Sequence, residues 1–103
     1  MKYGIIRTDT ADALIREIIL YIAENFGNSV ALKKLSELEE AILSLGDNPY
    51  IGTTPKYNVL KRQGYMVLIL EKNLVFYKIN EKIVTIYAVL GQIQNYLDII
   101  RGL

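Results

Sequence analysis

The chain has no cysteine and no histidine, and only two prolines among its 103 residues. Without cysteine it has no disulfides, no thiolate metal ligands and no cysteine nucleophile. Without histidine it lacks the commonest metal ligand and the one side chain whose ordinary pKa lies near neutrality. Long apolar runs are missing too: a run such as Ile18 to Ala23 is far too short to span a bilayer. The opening Met1-Lys2-Tyr3-Gly4 carries no apolar block of the signal-peptide kind, so the expected location is cytoplasmic, away from membranes. What remains is 51% hydrophobic and 22% charged, the balance of a folded globular protein. Its length fits a single domain, residues 1–103.

The net charge of +1 conceals an asymmetry. Residues 1–51 carry five cations against eight carboxylates, a net of −3, and residues 52–103 carry seven against three, a net of +4. An acidic half followed by a basic half suits a partner whose negative charge meets the second half. Uneven solvated faces are the competing explanation.

Hydrophobic periodicity divides the chain. Tyr3 to Arg7 reads as a short strand rich in isoleucine. Thr8, Asp9 and Thr10 offer helix caps, and Ala11, Leu14, Ile15, Ile18, Ile22 and Phe26 then share one helical face. Gly27 stops that helix, and Asn28-Ser29 start another. On the second helix Ala31, Leu35, Leu38, Ile42 and Leu45 form a stripe that Lys33, Glu37 and Glu40 avoid, and Gly46 is expected to end it. Two helices so closely joined form an antiparallel hairpin. Both prolines fall in the loop Asp47 to Lys56. Beyond it, Tyr57–Lys61, Tyr65–Leu70, Leu74–Ile79 and Ile83–Leu90 read as four strands, and their short separators impose an antiparallel meander. A last amphipathic helix is expected over Gln92 to Leu103, with Ile93, Tyr96, Leu97 and Ile100 on one face. A helix this short is marginal alone, so it is expected to be the least stable element and to lie near a partner contact. The expected architecture is a two-layer α+β fold in the order β-α-α-β-β-β-β-α, an antiparallel sheet on a helical hairpin. Apolar residues on both sheet faces call for cover by the last helix and a partner.

This pattern resembles the RelE/ParE superfamily of bacterial type II toxins over nearly the whole chain. The resemblance is carried by Thr10-Ala11 and Tyr21 to Gly27 bounding the first helix, the leucine-rich helix ending at Leu45, and the Pro49-x-x-Gly52 spacing. Leu74 to Ile79 is similar to the family's hallmark strand, and Val84, Ile86, Val89 and Leu90 to its last one. The resemblance implies the toxin of a plasmid-stabilisation or addiction module, which arrests growth until a cognate antitoxin silences it. Members act as ribosome-dependent mRNA endonucleases (the RelE type) or as DNA gyrase poisons (the ParE type).

Cleavage of RNA by its own 2′-hydroxyl needs a base, an acid and cations around the developing phosphorane charge. The resemblance places these functions on the concave sheet and just after the last strand. There the chain departs from the family: where many relatives read His-Gly-Arg-Arg-Asp-Tyr, it reads Gly91-Gln92-Ile93-Gln94-Asn95-Tyr96, and only Tyr96 survives. Leu74 stands where RelE-type members tend to carry arginine, whereas Lys78 keeps the basic character of its position and Lys61 and Arg62 match a basic strand end. Lys61, Arg62, Lys78 and Tyr96 are therefore the candidate residues of a metal-independent endoribonuclease, with no cofactor and no metal. Against them stands the plainer reading of solvated strand-end cations and half-buried tyrosines, which also suits Tyr77 and Tyr87. Asp9, Asp12 and Glu17 read as capping and helix-dipole residues, and no acidic cluster has ligand spacing. The missing histidine and arginines incline the expectation to ParE-like inhibition of DNA gyrase. The alternatives are a RelE-like nuclease acting on ribosome-bound mRNA with a degenerate site, and a non-toxic decayed binding domain.

Overall fold

The computed structural model describes residues 2–91. A four-residue strand, β1 (Gly4–Arg7), leads into α1 (Asp9–Phe26) and α2 (Asn28–Asp47), followed by a loop, a one-turn helix α3 (Asn58–Arg62), and strands β2 (Met66–Ile69), β3 (Asn73–Asn80) and β4 (Ile83–Gly91). Of the three expected caps, Thr8 is the one used: its hydroxyl accepts from the Ala11 N–H at 3.0 Å. The hairpin joint falls at Gly27. Gly46 does not end α2, which runs one residue further, to Asp47. It is instead a point of close approach: its carbonyl accepts from the Tyr3 N–H at 2.7 Å, and a Cβ there would lie 3.2 Å from the Tyr3 carbonyl.

The sheet order is β1-β4-β3-β2. The last three strands form the expected meander, but β1 lies parallel beside β4, with Gly4 opposite Ile83 and Arg7 opposite Ile86. The sheet is thus mixed, because the long helical hairpin carries the chain back before the meander begins. Tyr57–Lys61, expected as its first strand, instead supplies most of the α3 turn. A five-residue run with tyrosine, valine and leucine has no period that separates strand from helix. Here the helical choice lets Leu60 turn inward to 1% exposure.

Two apolar layers result. Ala11, Ile15, Leu38, Ile42 and Leu45 from the hairpin pack on Val75, Tyr77, Val84 and Ile86. On the opposite face Leu60 and Tyr65 pack on Val67, Leu74, Phe76, Ala88 and Leu90. The segment around α3 thus covers part of the face for which the final helix was expected; that helix, from Gln92, lies outside the described residues. Leu38, Leu45 and Leu60 are each at most 1% exposed, and truncating a leucine buried this deeply costs about 2–5 kcal/mol. Among the described residues no helix is long and apolar enough to cross a membrane.

Candidate functional site

Of the cations singled out in the sequence, Lys78 lies on the sheet face beneath α3, and Lys61 and Arg62 lie on α3 itself. Strict alternation would put Ala88 on the side of Val84 and Ile86. A register shift intervenes: Tyr77 pairs with Ile86, the preceding Phe76 pairs with Ala88, and Tyr87 is left over as a bulge residue. Tyr87 and Ala88 therefore both belong to the α3-side layer. The bulge brings the Tyr87 ring to Tyr65, edge to face, with centroids 5.5 Å apart at 83°.

Lys78 completes the cluster. Its ammonium nitrogen lies 4.5 Å from the Tyr65 ring centroid and 5.3 Å from that of Tyr87. Each such contact is worth about 0.5–1 kcal/mol where water still reaches it. Burial, and then the neighbouring Tyr87, push the Tyr65 hydroxyl above its usual pKa. It therefore stays protonated at neutral pH and can donate, but it cannot serve as a base.

Lys61 and Arg62 occupy the exposed last turn of α3, one short turn ahead of Tyr65, whose N–H donates to the Leu60 carbonyl at 3.2 Å. Their attachment to the Lys78 cluster thus runs through Tyr65, which sequence reasoning passed over. The available signal was its parity with Val67, which aligns it with the Phe76 and Lys78 side of the sheet. Among the described residues no ion pair involves Lys61, Arg62 or Lys78. Arg7 instead holds Asp12 at 3.0 Å and reaches Glu39 at 3.9 Å, so Asp12 serves the junction of β1 with the hairpin. No group of three or more carboxylates could hold a metal ion among the described residues.

Tyr77 has a different task. Its ring is fully buried on the hairpin side, and its hydroxyl donates to the Pro49 carbonyl at 2.8 Å and accepts from the Gly52 N–H at 3.1 Å. The Pro49-x-x-Gly52 spacing is therefore a loop folded over a buried hydroxyl. A Cβ on Gly52 would collide with that hydroxyl and stand 2.8 Å from the Val67 carbonyl. Tyr96 lies outside the described residues.

Chemically, this face can hold an anion beside aromatic rings, since it presents ammonium and guanidinium groups. The chain has no imidazole to add to them. Leu74, where an arginine would sit in a RelE-type site, is buried in the apolar layer with Leu60 and Phe76.

Residues 5–96 match the family model described as the ParE toxin of the type II toxin–antitoxin system parDE. No curated protein matches the chain. Among solved structures, the fold is similar to a chromosomal ParDE toxin–antitoxin system from P. aeruginosa, at 20% identity and a TM-score of 0.74, over 87% of this chain and 96% of that one. It is also similar to a RelBE toxin–antitoxin complex from Mycobacterium tuberculosis, at 17% identity and a TM-score of 0.66, over 89% of this chain and 100% of that one. A conserved hypothetical protein from Helicobacter pylori aligns at 14% identity with a TM-score of 0.53, over 87% of this chain and 94% of that one.

Proposed function

Because the chain belongs to the ParE toxin family of type II toxin–antitoxin systems, we propose that it arrests growth by inhibiting DNA gyrase through surface contacts. We further propose that a cognate antitoxin encoded beside it neutralises it in the cytoplasm. One observation carries the choice of target: the sheet face a RelE-type nuclease would leave open is occupied here. Leu60 and Tyr65 pack onto Leu74, Phe76 and Leu90, so apolar side chains fill the part of the face where cleavage would need an acid and a base. A toxin that acts by docking on a protein needs no such groups.

The cluster of Lys78 with Tyr65 and Tyr87, joined through Tyr65 to Lys61 and Arg62, favours a second reading. It is a ribosome-dependent mRNA endonuclease in which the cations stabilise phosphorane charge and a tyrosine hydroxyl donates the proton.

Induction of the chain without antitoxin separates these readings from a harmless binding domain: growth should stop, and normal growth removes the toxin reading altogether. With the purified protein, gyrase supercoiling should then be blocked while transcripts stay intact. Cleavage mapped inside translated codons, with gyrase untouched, would replace the gyrase reading by the nuclease. The triple substitution Lys61→Ala, Arg62→Ala and Lys78→Ala sharpens the contrast, because it should abolish a nuclease.

A further inference from the structure

The loop that Tyr77 holds displays two large apolar side chains to solvent. The Ile51 N–H donates to the Asn48 carbonyl at 3.2 Å, which closes a turn with Pro49 in its second position. The buried Tyr77 hydroxyl ties this turn on both sides, to the Pro49 carbonyl and to the Gly52 N–H. Thr53 then exchanges two backbone bonds with Val67, at 2.8 and 2.9 Å. Pro49 and Pro55 are buried. Between these ties Tyr50 and Ile51 project, 65% and 54% exposed. Thr53 and Val67 pair antiparallel, so the chain ahead of Thr53 heads towards Ile69, which is also exposed, at the end of the edge strand β2.

We infer that Tyr50 and Ile51 form the contact by which the toxin docks on its target, seated in an apolar pocket of that protein. On the gyrase reading, which this inference presupposes, docking needs a surface element that no catalytic group supplies. A mobile loop would lose conformational freedom on binding, whereas this tip is ordered beforehand by a hydroxyl anchored in the core. Tyrosine is among the residues that most often carry the energy of a protein interface.

Charge and size select the kind of partner. Residues 48–55 contain no charged side chain, so the tip offers nothing to a phosphate backbone, which proteins hold with lysine and arginine. It suits an uncharged, apolar pocket with one polar group for the phenol. A second copy of the chain is a poor occupant. A buried aromatic side chain covers about 150–250 Å², so two such tips pressed together fall well short of the roughly 800 Å² per partner of a stable interface. A projecting tip fits a concavity on a larger protein, whose surroundings can then reach Ile69.

Supercoiling by purified gyrase, titrated with the full chain, is the test. Tyr50→Ala/Ile51→Ala removes exposed groups only, so the denaturation midpoint should stay in place. The concentration needed for half-inhibition should rise about tenfold or more. Leu32→Ala/Leu43→Ala, a pair equally exposed on α2 at 63% and 64%, should leave that concentration unchanged. Tyr77→Phe keeps Tyr50 and Ile51 but unties the turn, and should raise it several-fold at a temperature where the protein is still folded. If Tyr50→Ala/Ile51→Ala inhibits as strongly as an active wild type, the inference is overturned and the gyrase reading stands. An equal loss in the Leu32/Leu43 pair overturns it as well, because any exposed apolar group would then serve. A wild type that never slows supercoiling removes the gyrase reading and this contact together.

Discussion

Tyr77 shows how one side chain can decide the shape of a distant loop. Its hydroxyl is shared between Pro49 and Gly52, and with Tyr77→Phe both partners are left buried or half-buried with one bond fewer. The expected loss is about 1–3 kcal/mol, read as a lower denaturation midpoint with an unchanged m-value. Gly52→Ala reaches the same contact from the other side, and overpacking against Tyr77 and the Val67 carbonyl should cost about 1–3 kcal/mol. The tyrosines also set an alkaline limit. Burial raises Tyr77 and Tyr65 above their usual pKa, with Tyr77 partly restrained by the Gly52 N–H. The folded chain therefore holds these protons to higher pH than the unfolded chain, which releases them near pH 10. Their contribution to stability is complete below that pH and is lost as pH rises above it. Melting temperature should fall steeply above about pH 10, and less steeply in Tyr77→Phe. The sequence displays Pro49 and Gly52 as a spaced pair, but nothing local to them reveals that the reason lies 25 residues further on. Gly46 misleads in the same way. It looks like a stop signal, whereas it is the place where β1 passes close to a helix that continues.

Elements long enough to repeat a period were legible, and short ones were not. The stripes of α1 and α2 identify their buried residues directly, from Ala11 and Ile15 to Leu38, Ile42 and Leu45. The strands from Met66 onward fall where β-branched and aromatic runs put them. The helix α3 spans only five residues, and its assignment is settled by tertiary packing of Leu60 and not by its own sequence. Leu60→Ala is accordingly expected to destabilise the protein by about 2–5 kcal/mol, measured by denaturant unfolding. A loss under 1 kcal/mol would show that α3 adds little to the cover of that sheet face. The β4 bulge was equally hidden, since an inserted residue leaves composition and spacing unchanged. Yet it determines that Tyr87 faces Tyr65, and with it the surroundings of Lys78. The candidate residues were therefore visible as cations, while their aromatic setting was not.

At the scale of the molecule, the sheet order follows from the length of the helical hairpin, which returns the chain to the far side of the sheet before the meander starts. It leaves β4 as an inner strand flanked by partners from opposite ends of the described chain, β1 in parallel and β3 antiparallel. The described cations of the second half, from Lys56 to Lys82, consequently lie around α3 and the meander, whereas the carboxylates of the first half stand on the hairpin. On the gyrase reading, the triple substitution at Lys61, Arg62 and Lys78 should leave growth arrest in place, because docking on a protein does not need their charge at a phosphate. Arrest abolished in parallel with transcript cleavage would favour the nuclease.

The position of β4 has a consequence for synthesis. The ladder partner of β1 lies about 80 residues later in the chain, so β1 must wait for β4 to be translated before it can pair. Until then the hairpin's apolar stripe has no sheet to rest on, and closing so distant a contact is slow. A copy that ends before β4 therefore lacks the strand on which β1 pairs, and with it the inner strand of the sheet.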